Sequence, residues 1–336
     1  MSAQSPIRLV VMMSALNEEK TVGQVIESIP QQVGVPAEVR VIVVDDGSTD
    51  ATAQVAEERG AILVRHGRRM GLGKSFADGL ERALQEGADI VVNIDADGQF
   101  DPADIPVLIR PILDDRADFV TATRFARKDL VPRMPWLKKW GNRQMSRLVN
   151  FATGTTNLTD VSCGFRAYNL TAALHVHLSG HFTHVQETII DLAGKGLRLA
   201  EVPLRVRGTR EHGRSRVAHS LPVYAFNTGW MVLRTMCRTR PFMSFGLLGS
   251  FIMALGILQG IFVFAHWCAT GQTRPFQSVL IGASLFITVG FLILVLALVA
   301  DMLNRVIVIA ERLLFFAKME QYRRAEVNRN EAEGPS

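Results

Sequence analysis

The apolar residues of this chain follow two regimes. Up to about Val206, short apolar runs at 9–13, 39–44, 61–64, 90–94 and 119–122 alternate with amphipathic stretches near 18–29, 50–58, 74–86 and 104–113. Continuous Val/Ile runs bounded by helices predict strands buried on both faces of a mostly parallel sheet. That is an α/β layer fold. Asp50 can cap the stretch that follows it, and Pro102 suits a first helical turn. The run at 7–13 flows into a polar Asn-Glu-Glu turn, so it reads as a first strand and not as a signal peptide.

Later the pattern changes. Residues 245–267 and 278–300 contain no Lys, Arg, Asp or Glu. Each stretch is long enough to cross a hydrocarbon layer of roughly 30 Å as one helix. A buried hairpin in a soluble protein is the alternative. Arg234, Arg238 and Arg240 precede the first stretch, and Arg305 and Arg312 follow the second. The excess of positive charge predicts that both ends, and the α/β domain, lie on the cytoplasmic side. The chain then reads as a multi-pass protein of the inner (cytoplasmic) membrane. Residues 221–236 read either as a helix in the membrane interface or as a domain-packing helix. The charged tail at 318–336 is expected to fray. The organisation predicted is a domain at 1–217, juxtamembrane helices at 218–242, two spans at 243–303 and a tail at 304–336.

Composition narrows the partners. The 336 residues are 48% hydrophobic and carry a formal charge of +5. That balance suits an anionic partner such as nucleotide, lipid phosphate or membrane. The basic residues are spread along the chain and do not select nucleic acid. Three cysteines, Cys163, Cys237 and Cys268, form no CxxC pair, so a disulfide framework and a zinc ribbon are not indicated. A reducing compartment is the simpler reading.

The candidate chemistry sits where the first-half strands end. Asp95-Ala96-Asp97-Gly98-Gln99 follows the fourth run. Alternation along a strand points Asp95 and Asp97 the same way, and two such carboxylates repel unless a cation lies between them. Oxygen ligands favour Mg²⁺ or Mn²⁺, and ligands of open α/β sheets bind beyond the carboxyl ends of the strands; a solvated turn is the alternative reading of this acid pair. Asp45-Asp46-Gly47-Ser48-Thr49-Asp50 follows the second run, and Asn17 and Glu18 follow the first. An acid at such a position can accept from a ribose hydroxyl or a base N–H, or simply cap a helix. Three strand ends thus carry polar groups toward one edge.

Other signals lead elsewhere. The segment from Gly67 to Ser75 lies where a phosphate-binding loop would, but GxxxxGK[ST] needs glycine at position 68, which is Arg68. Lys74 remains a possible donor contact. GxGxxG fails at Phe76. His175, His177, His181 and His184 lack metal-site spacing and read as local surface histidines. Glu187 and Asp191, four apart on a helix, read as a solvated face or, for Glu187, as a neighbour of an acceptor.

The ordered set SALNEE from Ser14, VVDDGSTDAT and NIDADGQFDP resembles the family 2 glycosyltransferases, in particular the polyprenyl-phosphate sugar transferases. DVSCGFRAY from Asp160, Glu201-Val202-Pro203 and His212-Gly213-Arg214-Ser215-Arg216 extend the likeness across residues 7–217. The resemblance implies a GT-A fold, a Rossmann-like mixed sheet followed by two transmembrane helices. It implies that Asp95, Asp97 and Gln99 hold a Mg²⁺ or Mn²⁺ on the donor diphosphate. Ala15, Asn17, Glu18, Asp46 and Ala96 would line the donor nucleotide. Arg124 would sit near the diphosphate and the acceptor phosphate, and Arg143 and Ser146 fall where relatives bind that phosphate. The arginine expected four before Ser146 is Asn142 here, with Arg143 beside it. Arg210 and Arg216 match a basic pair on a loop over the donor, with Arg216 standing where relatives often have lysine. The activity implied is inverting, metal-dependent transfer of a hexose from a GDP-mannose- or UDP-glucose-type donor to a polyprenyl phosphate. A phosphate monoester has a second pKa near ~6, so this acceptor needs no general base. A processive polysaccharide synthase is the alternative enzyme, but its usual QxxRW motif is absent from the sequence. A non-catalytic membrane scaffold is the alternative outside catalysis. Sugar, base, polyprenol length and oligomeric state, a homo-oligomer included, stay open.

Overall fold

A computed structural model of the chain describes residues 6–132, 134, 136–154, 157–176, 185–207 and 241–333. The first part is an α/β domain. Its elements are β1 (Ile7–Ala15), α1 (Val22–Glu27), β2 (Ala37–Asp45), α2 (Thr52–Glu58), β3 (Ile62–Arg65), α3 (Leu72–Gln85), β4 (Ile90–Asn93), α4 (Ile105–Leu113), β5 (Phe119–Thr123), α5 (Trp136–Thr153), β6 (Arg166–Asn169), α6 (Leu170–His175), α7 (Val185–Gly194) and β7 (Leu199–Pro203). Two helices follow, α8 (Pro241–Thr270) and α9 (Gln277–Glu333).

Among the described residues the sheet has seven strands in the order β3-β2-β1-β4-β6-β5-β7. β1 lies parallel to β2 and β4, β2 to β3, and β5 to β7. β6 runs antiparallel to both β4 and β5. The carboxyl ends of β1, β2, β4 and β5 therefore share one edge, and the segment before β6 enters the sheet from that same edge. The five predicted runs are all strands. Two cores flank the sheet because Val, Ile and Leu fill both faces of the central strands. One is built around Val11, Val43, Val92 and Phe165, the other around Val10, Ile42, Phe76 and Tyr168. Asp50 does serve the start of α2: its carboxylate accepts from the Thr52 N–H at 3.0 Å.

The chain divides into two compact units, Met1–Val232 with Phe315–Ser336, and Leu233–Leu314. In the second unit, α8 and α9 are both long and apolar enough to cross a membrane. Only 17% and 11% of their most apolar windows are buried, which rules against a soluble core hairpin. Glycines bring the two helices together. A Cβ at Gly290 would lie 2.6 Å from the Met253 nitrogen, and one at Gly256 would lie 2.8 Å from the Ala283 carbonyl oxygen. Small residues at such crossings allow helix backbones to touch.

The tail corrects the expectation of fraying. α9 runs unbroken to Glu333, and its last turns pack on the α/β domain. Tyr322 is 6% exposed, and its hydroxyl donates to the Gly87 carbonyl at 3.3 Å. The Phe315 ring lies 4.2 Å from the His175 ring, and Lys318 Nζ donates to the Val176 carbonyl at 3.4 Å. A few anchoring side chains in a charged segment suffice to hold it. The predicted helix at 221–236, together with Arg234, Arg238 and Arg240, lies outside the described residues.

Candidate active site

The acids at 95 and 97 are placed by a turn and not, as expected, by strand alternation. β4 ends at Asn93, two residues too early for the strand to aim both side chains. Gly98 has φ +72°, a conformation that glycine adopts without steric cost, and Asp97 Oδ1 accepts from the Gln99 N–H at 3.0 Å. The Gln99 carbonyl takes the Arg207 N–H at 3.0 Å, so its main chain is fixed on both sides. Asp97 is only 3% exposed, and Asp95 is half-buried. Gly164 lets the Asp95 carboxylate approach: a Cβ there would stand 3.0 Å from Asp95 Oδ2. Asn93 secures that glycine by donating from Nδ2 to its carbonyl at 2.8 Å.

Arg124 follows β5 and meets Asp160, which is fully buried. Nε and Nη2 donate to the two carboxylate oxygens at 2.6 and 2.9 Å. Burial pulls the guanidinium pKa down, but Asp160 more than reverses this and raises it, with help from the Asp95 charge. The arginine therefore stays cationic. Asp160 is itself oriented by Glu201, which accepts the Thr159 and Asp160 N–H groups at 2.7 and 2.8 Å. Burial raises the Glu201 pKa against those donors. Cys163 lies in the same wall. Burial pushes its thiol up to about 12, so it packs as a neutral group and is no nucleophile.

On the other side of β1, Asn17 has φ 52° and ties two turns together. Its N–H donates to Ser48 Oγ at 2.9 Å, and its Oδ1 accepts from the Thr49 N–H at 2.8 Å. Glu18 donates its N–H to Thr52 Oγ1 at 2.8 Å. Asp46 accepts from the Met70 and Gly71 N–H groups at 2.7 and 2.9 Å and meets His66 Nδ1 at 2.9 Å. Burial alone would raise its pKa; these donors hold it below the usual carboxylate range. Both Asp46 oxygens thus already serve the loop before α3.

Asp95, Asp97 and Gln99 follow β4 and Arg124 follows β5 at the same edge of the sheet, with β6 between the two strands; the Asp95 charge acts on Arg124, and Ala15, Ala96, Asn17, Glu18 and Asp46 lie along that edge. Ser146 is 5% exposed and donates to the Thr159 carbonyl at 3.0 Å, so it braces the Asp160 segment. Arg143 is exposed on α5. Lys74 pairs with Asp78, and Asp191 with Lys195. Arg210, Arg216, His177, His181 and His184 lie outside the described residues. The spacing gave no role to Asp160, Glu201, His66 or Arg166. Arg166 is wholly buried and donates to the carbonyls of Cys163 and Val161 at 2.8 and 3.3 Å, and to that of Val185. These partners lie far apart in the sequence or are backbone atoms, which leave no side-chain signature.

Residues 10–175 match the model of glycosyl transferase family 2. A UDP-N-acetylglucosamine–dolichyl-phosphate N-acetylglucosaminyltransferase of Methanococcus voltae is 30% identical over 211 residues, covering 57% of this chain and 82% of that protein. The chain belongs to glycosyl transferase family 2. An undecaprenyl-phosphate 4-deoxy-4-formamido-L-arabinose transferase of Proteus mirabilis is 26% identical to this family 2 enzyme and covers 88% of each chain. Among solved structures, glucosyl-3-phosphoglycerate synthase of Mycobacterium tuberculosis, with Mn²⁺, UDP-glucose and phosphoglyceric acid, superposes with a TM-score of 0.54. It is 25% identical, covering 69% of this chain and 80% of that one. The family 2 transferase thus has the GT-A fold expected from its motifs, with two apolar helices after the catalytic domain.

Proposed function

We propose that this family 2 glycosyltransferase moves one hexose from a nucleoside diphosphate sugar to a polyprenyl phosphate at a membrane, with inversion. The observation that carries the reading is the placement of Asp95 and Asp97, after β4, on the same carboxyl edge of the sheet as the charged Arg124 after β5. Relatives named for dolichyl and undecaprenyl phosphate acceptors support the lipid class, and the two apolar helices support the membrane.

The acid pair fits a hard divalent cation. Two carboxylates supply oxygen ligands only, and no described cluster of three or more His, Cys, Asp or Glu could enclose an ion. Such a half-site suits Mg²⁺ or Mn²⁺, which keep positions for water and substrate phosphates. Asp95 and Asp97 would hold the ion, which when bound supplies charge that stabilises a departing diphosphate. Arg124 gives Nε and Nη2 to Asp160, so Nη1 is the edge left to an anion. Its fixed charge lowers the repulsion between an acceptor phosphate and the donor diphosphate. An acceptor oxygen then attacks the anomeric carbon in line, and the bond to the diphosphate breaks. The acceptor is mostly a dianion near neutral pH and needs no proton removed.

A stripe on α5 supports a lipid substrate. Trp136, Trp140 and Phe151 are 77%, 56% and 67% exposed, and Arg143 and Arg147 lie between them at helical spacing. Exposed tryptophans interleaved with arginines suit the headgroup layer. The positive-inside pattern supports placing the catalytic domain on the cytoplasmic side.

Screening GDP- and UDP-linked sugars against undecaprenyl phosphate in proteoliposomes tests the reading. One donor should give a lipid-linked product that requires Mg²⁺ or Mn²⁺. Transfer only to a soluble acceptor would overturn the lipid assignment.

A further inference from the structure

The outer face of α5 is a cationic stripe without acids. The helix reads WLKKWGNRQMSRLVNFAT and contains Lys138, Lys139, Arg143 and Arg147 but no Asp or Glu. On α3 and α4, by contrast, charges are balanced within a turn: Lys74 pairs with Asp78, Arg82 with Glu86 and Arg110 with Asp114. Among the described residues, none of Lys139, Arg143 and Arg147 has an acidic partner. All three are exposed. Positions 136, 140, 143, 147 and 151 recur every three or four residues, so the exposed Trp136, Trp140 and Phe151 share one face with the two arginines. Lys139 flanks that face.

The inner face is fastened to the protein. Ser146, Val149 and Thr153 are 5%, 0% and 6% exposed. Asn150 donates from Nδ2 to the Leu158 carbonyl at 3.0 Å and accepts the Leu158 N–H at 3.1 Å. Ser146 donates to the next carbonyl, that of Thr159. α5 therefore braces the segment that carries Asp160, and Asp160 orients Arg124. One helix has an outer face of unpaired cations and an inner face tied to the arginine assigned to the acceptor phosphate.

Unneutralised cations attract an external anion. The aromatic residues narrow its class. A tryptophan ring is apolar with a polar N–H, which suits the boundary between acyl chains and headgroups. Lysine and arginine beside it bury their stems and reach the headgroup phosphates. A helix of this composition lies in the plane of an anionic interface. α8 and α9 are long and apolar enough to cross a bilayer, so a lipid surface is one to which the chain tethers itself.

We propose that α5 docks the catalytic domain on the anionic lipid of the bilayer, beyond the acceptor itself, through Lys139, Arg143 and Arg147 with the three aromatic side chains inserted beside them. This contact keeps Arg124 close to the layer from which a lipid phosphate is drawn. Its kinetic consequence rests on the lipid-acceptor reading, but its first readout does not. The full chain would be placed in nanodiscs of phosphatidylcholine alone or with about 30% phosphatidylglycerol, with acyl chains brominated near the headgroup as quencher. The signal of Trp136 and Trp140 is the difference between the unsubstituted chain and a Trp136→Phe/Trp140→Phe chain, which removes the contribution of Trp230 and Trp267.

That signal should be quenched at least about twofold more in the anionic discs. Raising NaCl from about 0.05 M to about 0.5 M should cancel the difference with no substitution made. Lys139→Glu/Arg147→Glu should cancel it at low salt. In that variant the KM for undecaprenyl phosphate in anionic discs should rise at least about fivefold, while the affinity for UDP with Mn²⁺ stays within about twofold. Equal quenching in neutral and anionic discs would overturn the proposal. So would no quenching in either, which would leave the stripe to water or to a protein partner. Quenching as expected, with no transfer to the lipid in any form, would count against the acceptor reading alone.

Discussion

Asp160 has no exposed surface and receives two hydrogen bonds from Arg124. Replacing it with alanine would leave a buried guanidinium unpaired, a defect of about 3–5 kcal/mol. Urea unfolding of Asp160→Ala should show that loss, and a cost below about 1 kcal/mol would mean that water reaches the pair. Asp118 gives a pH test. Hydrogen bonds from the Arg198 side chain, with the Arg198 N–H and Asn169, hold its carboxyl below the usual range. A carboxylate with a lowered folded-state pKa adds stability that is full above its unfolded pKa and lost as pH falls through the folded value. The melting temperature should therefore drop below about pH 4, and less steeply in Asp118→Asn. An unchanged acid slope would refute this. At this scale the sequence was readable where chemistry is local. Asp95 and Asp97 share one short turn, so their pairing is visible in the spacing. Arg124 and Asp160 are 36 residues apart, and no periodicity joins them. Ser146 was singled out by the family likeness and Asp46 by its place after a strand as well, but neither signal shows that both face internal partners.

β6 shows why an element can escape a pattern search. Its four residues, RAYN, include Arg166, so no apolar run announces a strand. Its antiparallel insertion makes the sheet mixed, and only the family likeness carried that expectation. The apolar helices were legible because lipid demands an uninterrupted apolar surface. Their mutual packing was less so, since glycine alone does not say which face meets a partner. Gly290→Leu should force α8 and α9 apart by crowding Met253 and Gly249, at about 1–3 kcal/mol. The melting temperature in detergent measures this, and no change would show that the helices do not touch there. The end of α9 was misread because its charges outnumber its anchors. Tyr322→Ala should destabilise the catalytic domain by about 3 kcal/mol, measured by denaturation of the full chain. A surface-like value near zero would return this segment to a loose tail.

At the scale of the whole molecule, one sheet edge collects the turns after β1 and β2, the acid pair and the arginine, and the same chain carries two apolar helices. That these motifs share one edge was visible in their order, because each motif follows a strand and parallel strands share an edge. The most direct test is mass spectrometry of the lipid after the reconstituted enzyme meets undecaprenyl phosphate and its preferred nucleotide sugar. The unsubstituted chain should add one hexose, and Asp97→Asn, with an unchanged melting temperature, should add it at least about a hundredfold more slowly. A polymer, or an equal yield from Asp97→Asn, would contradict the account.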